Sequence, residues 1–487
     1  MSKIYNFITI NRVRLILGTA ILIYTVVFSW LSIQRQNAFF SGFDLGNMDQ
    51  TIWNTLHGHL FSLTNGNQNQ LRFSIHADMI LILLSPIYLL WDNVNFLLII
   101  QSLIIALGAI PVYLLSKKLL KHTFLAFVMV SVYLLHPSLE WANIYDFHTI
   151  TIAAPIIITS YYFAYTKKIK LFYLFVILAL LCREDVSLIV GAMGIIIFFF
   201  LQNRRLGIIT ALLGICWFFF DLGFLIPTFS SGHEAWSLSF YQLQGGDSTS
   251  QPTLTSTFSA LIAQSGDLLI SGYAFKYYFL VLKPFAFLPL LGLPFILPAI
   301  PIILLNVLSS KAFMTSSILH YESGIIPFFT ISTIYSFVFI RYIISKNKKL
   351  KKHTAQIMLV AGAILFVYVL RDNYTNSPLP ISPNCYCVMY TVTQNDINFA
   401  NELDKIPQNA SVDSSPEIRP HISHRLYAYS FPYGLTSSDY FAIITRNQMI
   451  GSITPKIYEL DLIQKLERSK KYKIIYHQSP YYLFKKL

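Results

Sequence analysis

Charged side chains are scarce in this sequence. They make up 12% of 487 residues, whereas hydrophobic side chains make up 54%. Soluble domains carry roughly 25% charged residues, and a soluble chain of this size could not cover its surface with so few. Together with a mean hydropathy of +0.54, the shortage excludes an ordinary soluble enzyme, a disordered chain and a fibrous repeat. An integral membrane protein is the class that remains.

Cysteine is also rare, and four residues in a chain of this length exclude a disulfide scaffold. Cys182 and Cys216 lie in apolar runs and are typical of packing residues. Cys385 and Cys387 lie in a loop without histidine or cysteine partners at zinc spacing. A short disulfide is one alternative there, but close pairs meet disulfide geometry poorly. Two free thiols are therefore the favoured interpretation.

Several chemical motifs are missing as well. The sequence has no P-loop, no glycine-rich dinucleotide fingerprint and no Gly-x-Ser-x-Gly elbow. His421 and His424 in the C-terminal part provide too few ligands for a structural zinc site, which needs four.

Apolar runs long enough to cross about 30 Å of hydrocarbon recur as far as residue 371. We predict spans at about 13–33, 94–115, 123–137, 150–166, 206–227, 275–291, 292–308, 324–343 and 355–371. Two further runs are irregular. Residues 77–91 are short, and Arg183-Glu184-Asp185 interrupts the apolar run 171–201.

The positive-inside rule decides how these runs are arranged. The basic clusters are Lys3/Arg12/Arg14, Lys117/Lys118/Lys121, Lys167/Lys168/Lys170, Arg204/Arg205 and Lys346 through Lys352. All of them face the cytoplasm if 77–91 lies on or dips into the outer face and 171–201 forms a hairpin of half-helices. The N-terminus is then cytoplasmic, and residues 1–371 form a transmembrane domain of about eleven helical segments with a long first outer loop at 34–93. The net charge of +13 thus reflects topology and does not indicate nucleic-acid binding.

The last part of the chain has a different pattern. Residues 372–389 are rich in Pro, Asn and Ser and read as a linker. Short β-like runs at 410–412, 426–430, 440–445, 472–476 and 481–484 then alternate with helical patterns near 394–405 and 455–469. This order predicts a small extracytoplasmic α/β domain at 390–487.

Unusual polar residues collect on the outer side of this topology. Asp44 and Asp49 follow the first span, where a carboxylate could accept a proton or hold a cation; the alternative for Asp44 is a helix N-cap. Arg72 and His76 could bind a phosphate, or only reach toward lipid head groups.

Three further groups complete the candidates. Asp146 and His148 alternate in a polar stretch and could share a metal, or belong to a solvated loop. Arg183 and Glu184 lie inside an apolar run, where charge is costly. Either Arg183 meets an anionic group, or it is neutralised locally by Glu184 or Asp185. His320 and Tyr321 open a later span, where an interfacial Tyr is common.

The order of several motifs resembles a known family. They are Phe43-Asp44-Leu45-Gly46, Asp49-Gln50, Trp53-Asn54, His76, Asn143, Asp146-Phe147-His148, Cys182-Arg183-Glu184-Asp185, Phe287-Leu288-Pro289-Leu290 and the tail segment 414–429. The sequence resembles a bacterial and archaeal predicted membrane protein family with a domain of unknown function, which is similar to GT-C-type glycosyltransferases. The resemblance implies a GT-C-like α-helical polytopic membrane protein.

The resemblance also implies an activity. GT-C enzymes usually take a sugar from a polyprenyl-phosphate donor at the outer leaflet, with a catalytic Asp in the first outer loop, and Asp44 matches that position. A cell-envelope molecule would be the acceptor. Asp44, Asp49, Asp146 and His148 are the candidate ligands for Mg²⁺ or Mn²⁺, although Asp44 and Asp49 do not form an Asp-x-Asp motif. The alternative function is a transporter or flippase for a lipid-linked or anionic solute, built on the broken hairpin, and a third is a scaffold that binds a cell-envelope partner.

Overall fold

Helices account for most of the described chain. The structure is a computed structural model that describes residues 2–65, 68–230, 236–241, 253–431, 438–446 and 456–487. The helices as far as residue 376 are α1 (Ser2–Asn37), α2 (Phe43–Leu56), α3 (Ile80–Leu84), α4 (Asn95–Leu107), α5 (Ala109–Leu120), α6 (Thr123–Leu134), α7 (Pro137–Tyr145), α8 (Thr149–Tyr165), α9 (Ile169–Leu180), α10 (Val186–Phe199), α11 (Arg204–Phe220), α12 (Ile226–Phe229), α13 (Leu254–Leu269), α14 (Gly272–Leu282), α15 (Ile300–Leu308), α16 (Ile326–Lys346) and α17 (Thr354–Asn376). A hairpin of β1 (Ser62–Asn65) and β2 (Gln68–Leu71) lies between α2 and α3.

Several of these helices are long and apolar enough to cross a membrane. Within the described residues they number five: Asn11–Asn37, Asn95–Leu120, Arg204–Phe229, Ile326–Lys346 and Lys351–Asn376. The bent pair α6 and α7 adds a sixth if it forms one span. Shorter apolar helices, among them α8, α9 and α10, pack between the long ones.

The structure differs from the two uninterrupted spans expected at 275–291 and 292–308. After α14, the chain forms 3-10 turns at Lys283–Phe285, Leu288–Leu290 and Leu293–Ala299, and the helix resumes only at Ile300. Pro284, Pro289, Pro294 and Pro298 explain the difference, because each removes a backbone N–H donor and clashes with the preceding turn of an α-helix.

The two irregular runs of the sequence meet in space. The turn between α9 and α10 contains Arg183-Glu184-Asp185, as the hairpin prediction has it. The backbone N–H of Ile80, at the start of α3, donates to the carbonyl of Leu181 in this turn (2.8 Å). The short apolar segment 77–91 therefore lies against the tip of the hairpin.

The C-terminal domain, residues 390–487, has the mixed architecture expected from the sequence. Its helices are α18 (Gln394–Leu403), α19 (Arg419–Ile422) and α20 (Lys456–Arg468), and its strands are β3 (Val412–Ser414), β4 (Ala428–Ser430), β5 (Tyr440–Ile444), β6 (Tyr472–Gln478) and β7 (Tyr481–Lys486). The sheet order is β4-β3-β5-β7-β6, with β3 parallel to both neighbours and β7 antiparallel to both of its own. One apolar core on the sheet includes residues of α18 and the other includes residues of α20.

The first outer segment contributes to this domain. Phe39, which follows α1, is buried in the core beside α18. Its ring stacks on His421 at 4.0 Å between centroids and also contacts Phe399 and Tyr481. The membrane part and the C-terminal domain therefore share a core.

Cys385 and Cys387 form a disulfide just before the C-terminal domain. This differs from the favoured expectation of two free thiols. The loop brings the two Cα atoms to 5.2 Å, a separation that lies within the range a disulfide accepts. Cys182 is buried and Cys216 is exposed, and both are free.

Candidate functional site

The entry to α2 is fixed by a buried ion pair. Arg35, in the last turn of α1, lies 2.8 Å from the carboxylate of Asp146, and both side chains are almost fully buried. The same carboxylate accepts a hydrogen bond from the backbone N–H of Gly42, the residue before α2 (3.1 Å to Oδ2). Asp146 was a candidate for binding substrate or metal. In the structure it joins α1, α2 and the loop after α7.

The loop that carries His148 is held by one glutamine. Gln101 of α4 is fully buried, and its amide nitrogen donates to the carbonyls of Asn143 (3.0 Å) and Asp146 (2.8 Å). Its amide oxygen accepts from the backbone N–H of His148 (2.8 Å). One side chain thus satisfies three backbone groups that would otherwise be buried without partners, which fixes where the imidazole points.

Asp44 and His148 meet across this junction. Asp44 lies in the first turn of α2, and its Oδ2 is 3.3 Å from Nε2 of His148. Burial by itself raises the pKa of the Asp44 carboxyl, but the hydrogen bond and charge of His148, with the charges of Arg72 and His76, lower the pKa overall. Asp44 is therefore a carboxylate at neutral pH, and 44% of its side chain remains exposed.

Aromatic rings form a wall beside this carboxylate, made of Tyr145, His148, His320 and Tyr321. The rings of His148 and His320 stack at 3.8 Å between centroids, and Tyr321 lies 4.2 Å from His320. Burial, with His148 and Arg183 nearby, holds the pKa of His320 well below its ordinary value, so the ring is neutral. Its Nδ1 is buried without a hydrogen-bond partner among the described residues. His148 and His320 are nearly buried in this stack, and the partly exposed rings of the wall are Tyr145 and Tyr321.

The segment before α3 and the turn between α9 and α10 contribute two further candidates, His76 and Arg183. His76 Nδ1 is 2.8 Å from Glu184 Oε1, and the Glu184 carboxylate also accepts from the backbone N–H of Ala77 (3.2 Å). Arg183 donates through Nε to Asp185 at 2.9 Å. The side chains of His76 and Arg183 keep exposed fractions of 23% and 16%. Arg183 is therefore paired locally with Asp185, and its contact with an anionic ligand stays a prediction.

Two other candidates are buried in structural contacts. Arg72 binds Asp78 through Nε and Nη2, at 3.0 and 2.8 Å from Oδ2. Asp49 is fully buried; it accepts from the hydroxyl of Tyr88 (2.5 Å) and lies 3.0 Å from His424 Nε2. Arg72 acts on Asp44 through its charge, and Asp49 faces the C-terminal domain.

The four candidate metal ligands are consequently divided. Asp146 is used by Arg35, and Asp49 by Tyr88 and His424, which leaves Asp44 with His148. In the described part of the chain, no three His, Cys, Asp or Glu side chains lie together in a group that could hold a metal ion. The donor set does not form a metal site by itself.

The C-terminal domain packs against α2, the helix that carries Asp44. Arg419 is fully buried; it donates to Gln50 Oε1 of α2 (2.8 Å) and to the carbonyls of Thr64 and Ala428. A Cβ on Gly46 would overlap the Arg419 side chain. His421 Nε2 lies 2.9 Å from the carbonyl of Gln36.

Sequence reasoning did not find Arg35, Gln101 or Arg419. Gln101 carried a usable signal, because it is an isolated polar residue within the predicted span 94–115. Arg35 and Arg419 carried none, since their partners lie 111 and 369 positions away.

These elements describe a mostly helical, multi-spanning membrane protein in which a partly exposed carboxylate contacts a histidine of an aromatic wall. The chain belongs to the family described as Predicted membrane protein (DUF2079), whose match covers residues 35–483. The family resemblance predicted from the motifs is thus confirmed. No curated protein matches the chain.

Solved structures also match the chain. A crystal structure of ArnT from Cupriavidus metallidurans bound to undecaprenyl phosphate aligns with 11% identity and a TM-score of 0.49, over 96% of this chain and 98% of that one.

Proposed function

We propose that the protein is a GT-C-like integral membrane glycosyltransferase that moves a sugar from a polyprenyl-phosphate donor to a cell-envelope acceptor at the outer face. The observation that carries the proposal is Asp44. Asp49, Asp78, Asp146 and Glu184 are themselves buried and each is paired with another side chain, whereas Asp44 contacts a histidine and stays half exposed. Structural carboxylates in an apolar protein are normally paired, so an accessible one is suited to chemistry.

The reaction places Asp44 as the base. The acceptor hydroxyl attacks the anomeric carbon, the bond from that carbon to the phosphate oxygen breaks, and the phosphate leaves with the electron pair. The hydroxyl proton passes to Asp44 as the attacking oxygen becomes acidic. His148 orients the carboxylate, because its Nε2 faces Oδ2.

Other side chains serve the sugar and the phosphate. The guanidinium of Arg183 and the imidazole of His76 are partly exposed and would receive the anionic leaving group. The partly exposed ring of Tyr321, backed by the buried His320, would pack against the sugar. Of the candidate metal ligands, only the side chains of Asp44 and His148 contact each other, and no step is derived through a divalent cation.

The proposed topology has the N-terminus in the cytoplasm and the C-terminal domain outside. The basic clusters described above support it through the positive-inside rule. The disulfide between Cys385 and Cys387 is also typical of an oxidising, extracytoplasmic compartment. With this topology, Asp44 lies on the side where a lipid-linked sugar is presented.

Purified full-length protein tests the proposal. It would be incubated with a panel of polyprenyl-phosphate hexoses and a membrane extract as the acceptor pool, and the release of free polyprenyl phosphate would be measured. We expect Asp44→Asn to lower the release at least 100-fold, within the range of general base catalysis. Asp404→Asn is the control, because Asp404 is exposed on the C-terminal domain.

Two results would contradict the proposal. One is turnover in Asp44→Asn equal to that of the control. The other is a donor that is never consumed but moves between the leaflets of a vesicle, which would favour the transporter.

A further inference from the structure

An apolar groove lies between α1 and α5, far from Asp44 in sequence and on the opposite side of the proposed topology. Its volume is about 520 Å³, and its lining includes Arg14, Leu17 and Gly18 of α1, Tyr113 and Lys117 of α5, and Thr123 of α6. The α1 residues recur at a spacing of three to four, as do those of α5, so each helix presents one continuous face. The groove is thus a cleft between two helices within the spanning region.

The groove exists because two helices separate. α1 packs along α4 and has little contact with α5. The helix breaks between α4 and α5 at Gly108. A Cβ on Gly18 would meet nothing within 4 Å, so this position leaves space open. In a bilayer, such a cleft faces hydrocarbon, and a lipid acyl chain is the natural filling.

Charge is confined to one end of the groove. Arg14 is exposed, and Lys117 is held in place by a hydrogen bond from Nζ to the hydroxyl of Thr123 (2.7 Å). The described residues that line the groove include these two cations and no carboxylate. Both belong to the basic clusters that the positive-inside rule assigns to the cytoplasm.

We propose that this groove binds an anionic phospholipid of the cytoplasmic leaflet, with one acyl chain between α1 and α5 and the phosphate between Arg14 and Lys117. Basic pockets between helices on the cytoplasmic side recognise anionic head groups in this way. A zwitterionic lipid offers the same chains but adds a cation beside the two side chains. The groove therefore selects by head-group charge, independently of the glycosyltransferase proposal.

Native mass spectrometry of the full chain, delipidated and then titrated with phosphatidylglycerol or phosphatidylcholine of identical acyl chains, tests the inference. We expect phosphatidylglycerol to bind more tightly to the wild type. Arg14→Gln combined with Lys117→Gln should weaken that binding about thirtyfold, because each basic side chain contributes about 1 kcal/mol of attraction to anionic lipid and every 1.4 kcal/mol is tenfold in affinity. Gly18→Leu should also weaken it, because the side chain fills the groove without changing charge.

A matched pair provides the control. Lys351 and Lys352 are exposed basic residues in the last predicted cytoplasmic cluster, and Lys351→Gln with Lys352→Gln removes the same charge away from the groove. This variant should bind phosphatidylglycerol within about twofold of the wild type. The inference would be overturned if the Lys351/Lys352 variant bound phosphatidylglycerol as weakly as the Arg14/Lys117 variant, or if Gly18→Leu bound it as tightly as the wild type. It would also be overturned if the wild type did not prefer phosphatidylglycerol, or if polyprenyl phosphate displaced this lipid. If the Arg14/Lys117 variant does not fold, the affinity of Gly18→Leu for phosphatidylglycerol tests the inference alone.

Discussion

The guanidinium of Arg419 lies over the ring of Phe43, 5.2 Å from the ring centroid. Phe43 is the residue immediately before Asp44, and Arg419 belongs to the C-terminal domain. A cation above an aromatic face is attracted to it, more strongly when both are removed from water. The C-terminal domain therefore holds the very turn of α2 that presents the proposed base.

Gly46→Ala tests this close packing. The added Cβ would overlap the buried side chain of Arg419, and overpacking of a tight core costs about 1–3 kcal/mol. We expect a lower midpoint of thermal unfolding in detergent and reduced transferase activity. Gly266→Ala is the control, because a Cβ on Gly266 would meet nothing within 4 Å. If Gly46→Ala unfolds no earlier than this control, the two surfaces do not pack as described.

Gln101→Met tests how His148 is positioned. The substitution keeps the volume but leaves the backbone N–H of His148 and the carbonyls of Asn143 and Asp146 without their partner. An unsatisfied buried group costs about 1–3 kcal/mol, and the imidazole should lose its orientation toward Asp44. We expect kcat of sugar transfer to fall while KM for the lipid donor changes little.

Gln464→Met is the comparison for this variant, because Gln464 is exposed on α20. A Gln101→Met protein with wild-type kcat would show that the loop is held by other contacts.

Docking of the C-terminal domain should depend on pH through His424. Its two ring nitrogens lie 3.0 Å from Asp49 and 3.3 Å from Asp92. Burial by itself lowers the pKa of His424, and Arg425 does the same, but Asp49 and Asp92 raise it above its ordinary 6.5. Because the folded state binds the proton more tightly, this stabilisation is complete below about pH 6.5 and is lost as the pH rises through the raised pKa.

Thermal unfolding between pH 6 and pH 9 measures the effect. We expect the wild type to lose stability over this range more steeply than His424→Gln. His477→Gln, at an exposed position of β6, should keep the wild-type slope. Equal slopes in all three proteins would contradict the role of His424.

Cysteine labelling tests the proposed topology. In a Cys182→Ser/Cys216→Ser background, single cysteines would replace Asn409 of the C-terminal domain and Lys118 of α5, both exposed. An impermeant maleimide should label Asn409→Cys on intact cells and Lys118→Cys only after the membrane is permeabilised. The reverse pattern would place Asp44 on the cytoplasmic side and remove the basis for a lipid-linked donor from outside.

Local patterns predicted much of this fold, and distant partners explain what they missed. The strands β3 to β7 and the helices α18 and α20 follow alternation and periodicity that can be read within a few residues. The helix breaks at Pro284 to Pro298 could also have been read, since each proline acts locally. The prediction of two uninterrupted spans at 275–291 and 292–308 followed the hydropathy of these residues and did not take the prolines into account.

The candidate site divides in the same way. Asp44, His148 and Arg183 stood out because charge near or within apolar runs is costly. The partners seen in the structure changed the interpretation of another candidate. Asp146 was a candidate ligand, but its carboxylate is paired with Arg35. No local pattern links Arg419 to Gln50, because 369 positions separate them. Sequence therefore identified which residues are unusual, and the structure determined which of them remain available.

The shared core between Phe39 and the C-terminal domain has a consequence for synthesis. A ribosome makes α1 and α2 first, but the pocket that receives Phe39 includes Tyr481, near the very end of the chain. The proposed base can reach its final position only after the last strand has emerged and crossed the membrane under the proposed topology. Under the proposed function, we expect a product truncated before Tyr481 to enter the membrane without transferring sugar.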